Sequence, residues 1–128
     1  MESPEPSFRR LLLMNALTVL AADAPAQVGW LVRHAVMADE IALDFYHAFR
    51  MAEGVVEEWQ LARAVLADLR EIDVILSEMS GGENADRWMK EALSTDEGWA
   101  LVRRLARRVL VAELGKWQAC LPEITVIR

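Results

Sequence analysis

Apolar residues recur along this chain at helical spacing almost from end to end. Leu31, Ala35, Ala38, Ala42, Phe45, Phe49 and Ala52 alternate steps of four and three, which lines them up on one face of a helix. Asp23 and Pro25 supply an opening for it and Glu53-Gly54 a C-terminal stop, so the pattern predicts a helix near 26–52. Asp39 can also cap a restarted helix, which admits a kink near 38–40. Trp59, Ala62, Leu66, Leu69, Ile72, Leu76 and Met79 keep the same spacing and predict a helix over roughly 57–79, halted by Ser80-Gly81-Gly82. A short fourth helix, about 84–92, carries Trp88 and Leu93 toward the core. Ser94 and Glu97 have the spacing of a capping box and open a fifth helix that runs to about 116, with Gly115 fraying its end.

The first helix, about 8–22 with Ser7 as its N-cap, is different in kind. Phe8, Leu11, Leu12, Leu13, Met14, Leu17, Val19 and Leu20 leave almost no polar side. A helix that is apolar all round must be covered all round. Four further helices are not expected to enclose it fully, which calls for a partner surface. Arg9-Arg10 before this run resembles the start of an export signal, and Ala22-Asp23-Ala24 a cleavage site. Glu2, Glu5, Asn15 and Thr18 run against that pattern. The uncharged stretch Leu11 to Ala22 is twelve residues, too short to span a bilayer. The expectation is a cytoplasmic protein with no membrane association.

Beyond Pro122 the run Ile124-Thr125-Val126-Ile127 is the β-branched exception and reads as an extended tail. The fold expected is therefore all-α: a single domain over 1–128, a compact bundle of about five helices with an extended C-terminal tail. Composition agrees, with 54% hydrophobic residues and only six Gly and four Pro, few for a turn-rich β fold. The one cysteine, Cys120, rules out an intramolecular disulfide and sits between Ala119 and Leu121 as a small apolar residue.

Charge changes the picture because it is segregated. The net charge is −6, yet residues 37–100 hold fifteen acids against five bases and residues 101–128 six bases against two acids. An acidic middle argues against nucleic acid, whose binding needs net positive charge to release phosphate counterions. Arg103, Arg104, Arg107 and Arg108 make two i,i+4 pairs opposite Val102, Leu105 and Val109. On an acidic chain such a face is expected to pair with its own carboxylates, Asp68, Glu71 and Asp73 being natural counterparts. Glu53, Glu57 and Glu58 are the acidic candidates for steering a protein partner, with the four arginines as further partner-binding candidates.

Candidate chemistry is sparse. Asp44 and His47 have the i,i+3 spacing of helical metal ligands, with His34 as a third donor. On an unbroken helix His34 and His47 point about 140° apart, so the expectation is no metal, with His34 a core histidine and His47 a surface partner of Glu40 and Asp44. The five tryptophans, Trp30, Trp59, Trp88, Trp99 and Trp117, are expected to fill the core with their indole N–H groups satisfied at its edge. Ser80-Gly81-Gly82 lacks the lysine of a phosphate loop, and no nucleophile elbow or zinc-protease motif occurs. No catalytic residue is nominated and no cofactor expected.

Around Ile41-Ala42-Leu43-Asp44-Phe45, Met79 to Trp88 and Leu121 to Val126, the chain resembles small helical proteins of unknown function from actinobacteria. The resemblance covers structural punctuation and implies no site residues. The function expected is a non-enzymatic protein-interaction or self-associating module, against the alternative of a helical bundle that binds a small apolar ligand or metal. Self-association is expected as a two-fold homodimer, driven by the first helix and by pairing of the tail. Light scattering of dilute protein tests this: a mass of two chains is expected, and a folded monomer at micromolar concentration overturns it.

Overall fold

The computed structural model describes residues 6–57, 63–80, 82–118 and 121. The elements are α1 (Pro6–Ala21), α2 (Ala24–His34), α3 (Asp39–Glu57), α4 (Arg63–Met79), a 3₁₀ turn (Gly82–Trp88), α5 (Ala92–Thr95) and α6 (Glu97–Leu114). The all-α expectation holds, with no strand among the described residues. The tail 124–127, Trp59, Glu58 and Cys120 lie outside them.

α1 is the axis of the fold. It packs against α3 on one side and α6 on the other, α4 lies on α6, and α3 and α4 meet only lightly. Leu13, Met14, Leu17, Val19 and Leu20 are all buried within the one chain. The partner surface expected for this helix is thus supplied by the chain itself, and only Phe8 and Leu11 of its large apolar residues stand open to solvent. No single described helix is long and apolar enough to cross a membrane.

Ending such a helix inside a core leaves its last carbonyls without intrahelical donors, and α2 turns away by 117° directly afterwards. Four hydrogen bonds from three side chains elsewhere in the chain answer them. Gln27, fully buried, donates from Nε2 to the carbonyls of Val19 (2.9 Å) and Leu20 (3.1 Å). Arg107 donates from Nε to Ala21 O at 2.8 Å, and Arg103 from Nε to Ala22 O at 2.9 Å. Arg103 Nη2 also reaches Gln27 Oε1 and Leu93 O, both at 2.8 Å. Two guanidinium groups at a helix C-terminus also suit its dipole. At the other end Arg10 meets Glu113 at 3.3 Å, so α1 and α6 run antiparallel.

Several boundaries differ from the expected ones. α1 opens at Pro6, so Ser7 lies within the helix and is not its N-cap. The helix predicted over 26–52 is two helices, α2 and α3, broken at 35–38. Ala35 adopts the left-handed conformation at φ 54° and ψ 44°. Its N–H bonds to Val32 O at 3.2 Å, and the Val36 N–H to Leu31 O at 3.1 Å. That pair of bonds is a Schellman stop with alanine where glycine is usual, so no glycine announces it. Of the predicted seam, Leu31, Ala38, Phe45 and Phe49 are buried on the two sides of the break, whereas Ala35 at the break is exposed and Ala42 half-buried. Glu53-Gly54 does not end α3, which continues to Glu57; a single glycine costs a helix only about 1 kcal/mol.

The fourth helix expected over 84–92 is instead the 3₁₀ turn followed by the four-residue α5. Asn84 leaves helical geometry at φ −108°, and its Nδ2 donates to the carbonyls of Glu78 and Ser80, each at 3.3 Å. The Ser94–Glu97 capping box does not form. Ser94 Oγ donates backwards to Glu91 O at 3.0 Å, and Asp96 caps α6 by accepting from the Gly98 N–H at 2.7 Å. Gly115, at φ 81°, closes α6 through its N–H to Val111 O at 2.9 Å rather than fraying it.

Two outcomes follow from this architecture. Ala35→Gly relieves a left-handed alanine and is expected to stabilise by about 0.5–1 kcal/mol, the strain relief exceeding the added unfolded-state entropy. In an unbroken helix the same change would destabilise by about 1 kcal/mol, so the sign in urea unfolding decides the break. Leu17→Ala is expected to cost about 2–5 kcal/mol, by an amount independent of protein concentration. A loss that shrank at high concentration would instead restore the partner surface to α1.

Candidate binding groove

Because α3 and α4 meet lightly, the space between the first turns of α3 and the last turns of α4 stays open. It forms a groove of about 750 Å³ closed at one end by the 3₁₀ turn and Met89. Phe45, Leu76, Ala42 and Trp88 make its floor, and Met37, Leu43, Tyr46 and Met89 its lips. The lips are open to solvent by 69%, 45%, 41% and 54% respectively. Exposed apolar side chains gathered on one concave face are the kind of surface that interaction sites use. Thioether side chains add a surface that reshapes to its partner.

The polar groups of the groove are few. Asp39 lies in the opening turn of α3 and Asp73 two turns before the end of α4, with Ser77 and Ser80 between. Among the described residues no Lys, Arg or His lines the groove. Neither Asp39 nor Asp73 makes an ion pair or side-chain hydrogen bond among the described residues. The carboxylates of Asp23, Asp68, Asp96 and Glu113, by contrast, are each taken by an arginine. At the edge, Arg50 lies over the Tyr46 ring at 5.0 Å and donates from Nη2 to its hydroxyl at 3.0 Å.

Trp88 is fixed from behind. Its Nε1 donates to Met79 O at 2.9 Å, and its ring meets the buried Trp99 edge to face at 5.4 Å. Trp99 Nε1 donates to Arg87 O at 2.8 Å, and the Arg87 guanidinium pairs with both oxygens of Asp96 at 2.8 and 3.1 Å. The cap of α6 and the floor of the groove are therefore one hydrogen-bonded assembly. The expected role of the tryptophans as edge-satisfied core holds for Trp88 and Trp99; Trp117 differs, lying 3.8 Å beneath the Arg107 guanidinium.

The residues singled out from sequence fall elsewhere. His34 ends α2 against the Trp30 ring at 5.2 Å, and the break at 35–38 puts it on a different helix from Asp44 and His47. His47 lies against Tyr46 at 5.7 Å. Partial burial first, and Glu40 second, push the Asp44 carboxyl above the ordinary carboxylate range, with His47 opposing them. Among the described residues no three His, Cys, Asp or Glu side chains gather as a metal site would require. The side chains of Glu53 and Glu57 lie outside the described residues with Glu58.

Of the arginines, Arg108 pairs with Asp68 through two bonds of 2.9 and 2.6 Å, one of the counterparts expected. Arg103 and Arg107 belong to the clamp on α1, Arg107 adding Asp23 at 2.8 Å. Burial first, then the neighbouring Arg107, draw the Arg103 guanidinium below its ordinary range. Arg104 is exposed, with no ion pair among the described residues. Comparison with known protein families, characterised proteins and solved structures finds no match, so the groove is read from its own chemistry.

The Asp96 assembly carries a pH signature. The hydrogen bond from Arg87, above all, holds its carboxyl below the ordinary range; burial opposes, and the Gly98 N–H helps. A carboxyl depressed in the folded state stabilises above its unfolded pKa of about 3.9, and that contribution is lost as pH falls through the folded value. Asp96→Asn keeps a competent cap but not the charge. The variant is expected to be about 1–2 kcal/mol less stable than wild type at pH 7, and the gap to close as pH falls below about 4. Urea unfolding at pH 7 and pH 3 reads both; an equal gap at the two values would remove Asp96 ionisation from the account.

Proposed function

We propose that this chain is a cytoplasmic, non-enzymatic interaction module that docks a partner protein in the α3–α4 groove. The observation that carries this reading is the openness of the groove: its four apolar lips stay 41–69% accessible, whereas pockets for small molecules bury most of their ligand. An extended partner that covers the lips removes that surface from water, and association of this kind is driven by apolar burial. The floor, held by the Trp88–Trp99 pair, is rigid while the methionine lips adapt. The volume, about 750 Å³, also falls within the range of small-ligand sites. A retained apolar molecule is therefore the rival reading.

Self-association belongs to the same proposal in altered form. With α1 enclosed, the groove rather than the first helix is the face on which two copies would pair.

Photo-crosslinking residues at positions 37 and 89, with position 100 as an exposed control, test the module in its native host. One crosslinked protein of defined mass from both groove positions, absent at position 100 and abolished by Leu43→Glu, is expected. Adducts no different from the control would overturn the reading. Native mass spectrometry of the purified chain discriminates the rivals: a stoichiometric small molecule supports the ligand pocket, and a mass of two chains that Leu43→Glu halves supports self-pairing.

A further inference from the structure

Given a protein-docking groove, its occupant can be narrowed by charge, and we infer that it is a basic amphipathic helix. The groove is an apolar trough between two antiparallel helices, the shape that receives the apolar face of a third helix. Asp39 and Tyr46 are seven residues apart on α3, and Asp73 of α4 is seven residues before Ser80, the first residue beyond that helix; seven helical residues rise about 10 Å. Since the two helices run in opposite senses, Asp39 and Asp73 stand at opposite ends of a trough about two turns long. Among the described residues both carboxylates are without an ion pair and no cation lines the trough. An acidic or neutral occupant would desolvate them uncompensated.

An occupant with Lys or Arg on either side of its apolar anchors meets both. Its anchors fall on Phe45, Leu76 and Trp88 at the floor, and its cations reach Asp39 and Asp73. At the edge, outside the lining, the Tyr46 ring accepts a guanidinium by a different contact, Arg50 lying over it at 5.0 Å. The surrounding segment reinforces the choice by its field, residues 37–100 holding fifteen acids and five bases. Such a field steers a cationic partner inward and repels an acidic one.

Three synthetic peptides of equal length test the inference by calorimetry at low salt. One carries Leu and Met at helical spacing with flanking Lys; its twin has Glu for each Lys; the third scrambles the first so that it has no apolar face. The Lys peptide is expected to bind about tenfold or more tighter than its Glu twin. That preference should vanish in Asp39→Asn/Asp73→Asn and in molar salt, while Leu43→Glu weakens both peptides. Equal binding of the twins, still sensitive to Leu43→Glu, overturns the basic partner and leaves the docking groove standing. Scrambled peptide binding as tightly as the first overturns the helix. Binding of none of the three overturns both proposals. If decyltrimethylammonium alone binds, with the same dependence on Asp39 and Asp73, the occupant is a small cationic amphiphile instead.

Discussion

The C-terminal end of α1 is the constraint on which the rest of the structure depends. A helix without a polar side gains most by lying at the centre, yet its terminal carbonyls must find donors there or cost about 1–3 kcal/mol apiece. Water cannot serve them, because Ala21 and Ala22 are buried. Gln27, Arg103 and Arg107 serve them instead. To do so α2 must fold back across the end of α1, and α6 must run alongside it at the correct height. One local deficit thus sets the path of three helices. The arginine row that reads as a surface feature is half internal scaffold.

The groove is a by-product of the same arrangement. With α1 between α3 and α6, and α4 on the far side of α6, the four long helices form a curved row whose two end members approach without interlocking. The seam between them is wide enough to stay open and narrow enough to be concave. What prevents collapse is the corner at its end. There Trp88, Trp99, Arg87 and Asp96 satisfy one another and keep the 3₁₀ turn wedged against Met79. Energetically the lips are a standing cost: exposed methionine, leucine and tyrosine gain nothing from folding until something covers them.

Period and punctuation made much of this fold legible in the sequence. Of the buried residues on α4, Leu69, Ile72, Leu76 and Met79 belong to the seam its spacing predicts, while Val65 is buried outside that seam and Leu66 within it is only half-buried. The Arg108–Asp68 pair was legible too, from a basic face opposite an acidic one. The restart at Asp39, read as a cap, was legible as well, since α3 opens there; the stop at Ala35 was not, because it uses a residue that favours helices and a geometry that only hydrogen bonds reveal. Nor was the Asp96 cap, since Ser94 and Glu97 offer an equally good local motif, and only the packing of Trp99 decides between them. The groove left a trace that spacing alone does not weigh. Leu43 and Tyr46 widen the apolar arc of α3 beyond its seam, and surplus width on a helix means either more core or an exposed face. Which of these it is depends on how α4 is held, a property of α6.

Gln27 and Arg103 lie seventy-six positions apart, joined by one hydrogen bond. Leucine at 27 would take one acceptor from the Arg103 guanidinium, which keeps the carbonyls of Ala22 and Leu93, and would strip the Gln27 amide from the carbonyls of Val19 and Leu20. Methionine at 103 would strand an amide oxygen and the carbonyls of Ala22 and Leu93. Descendants of this sequence can therefore leave either residue only through intermediates that fold poorly, and a lineage in which one has moved will have rebuilt the corner between α1 and α2.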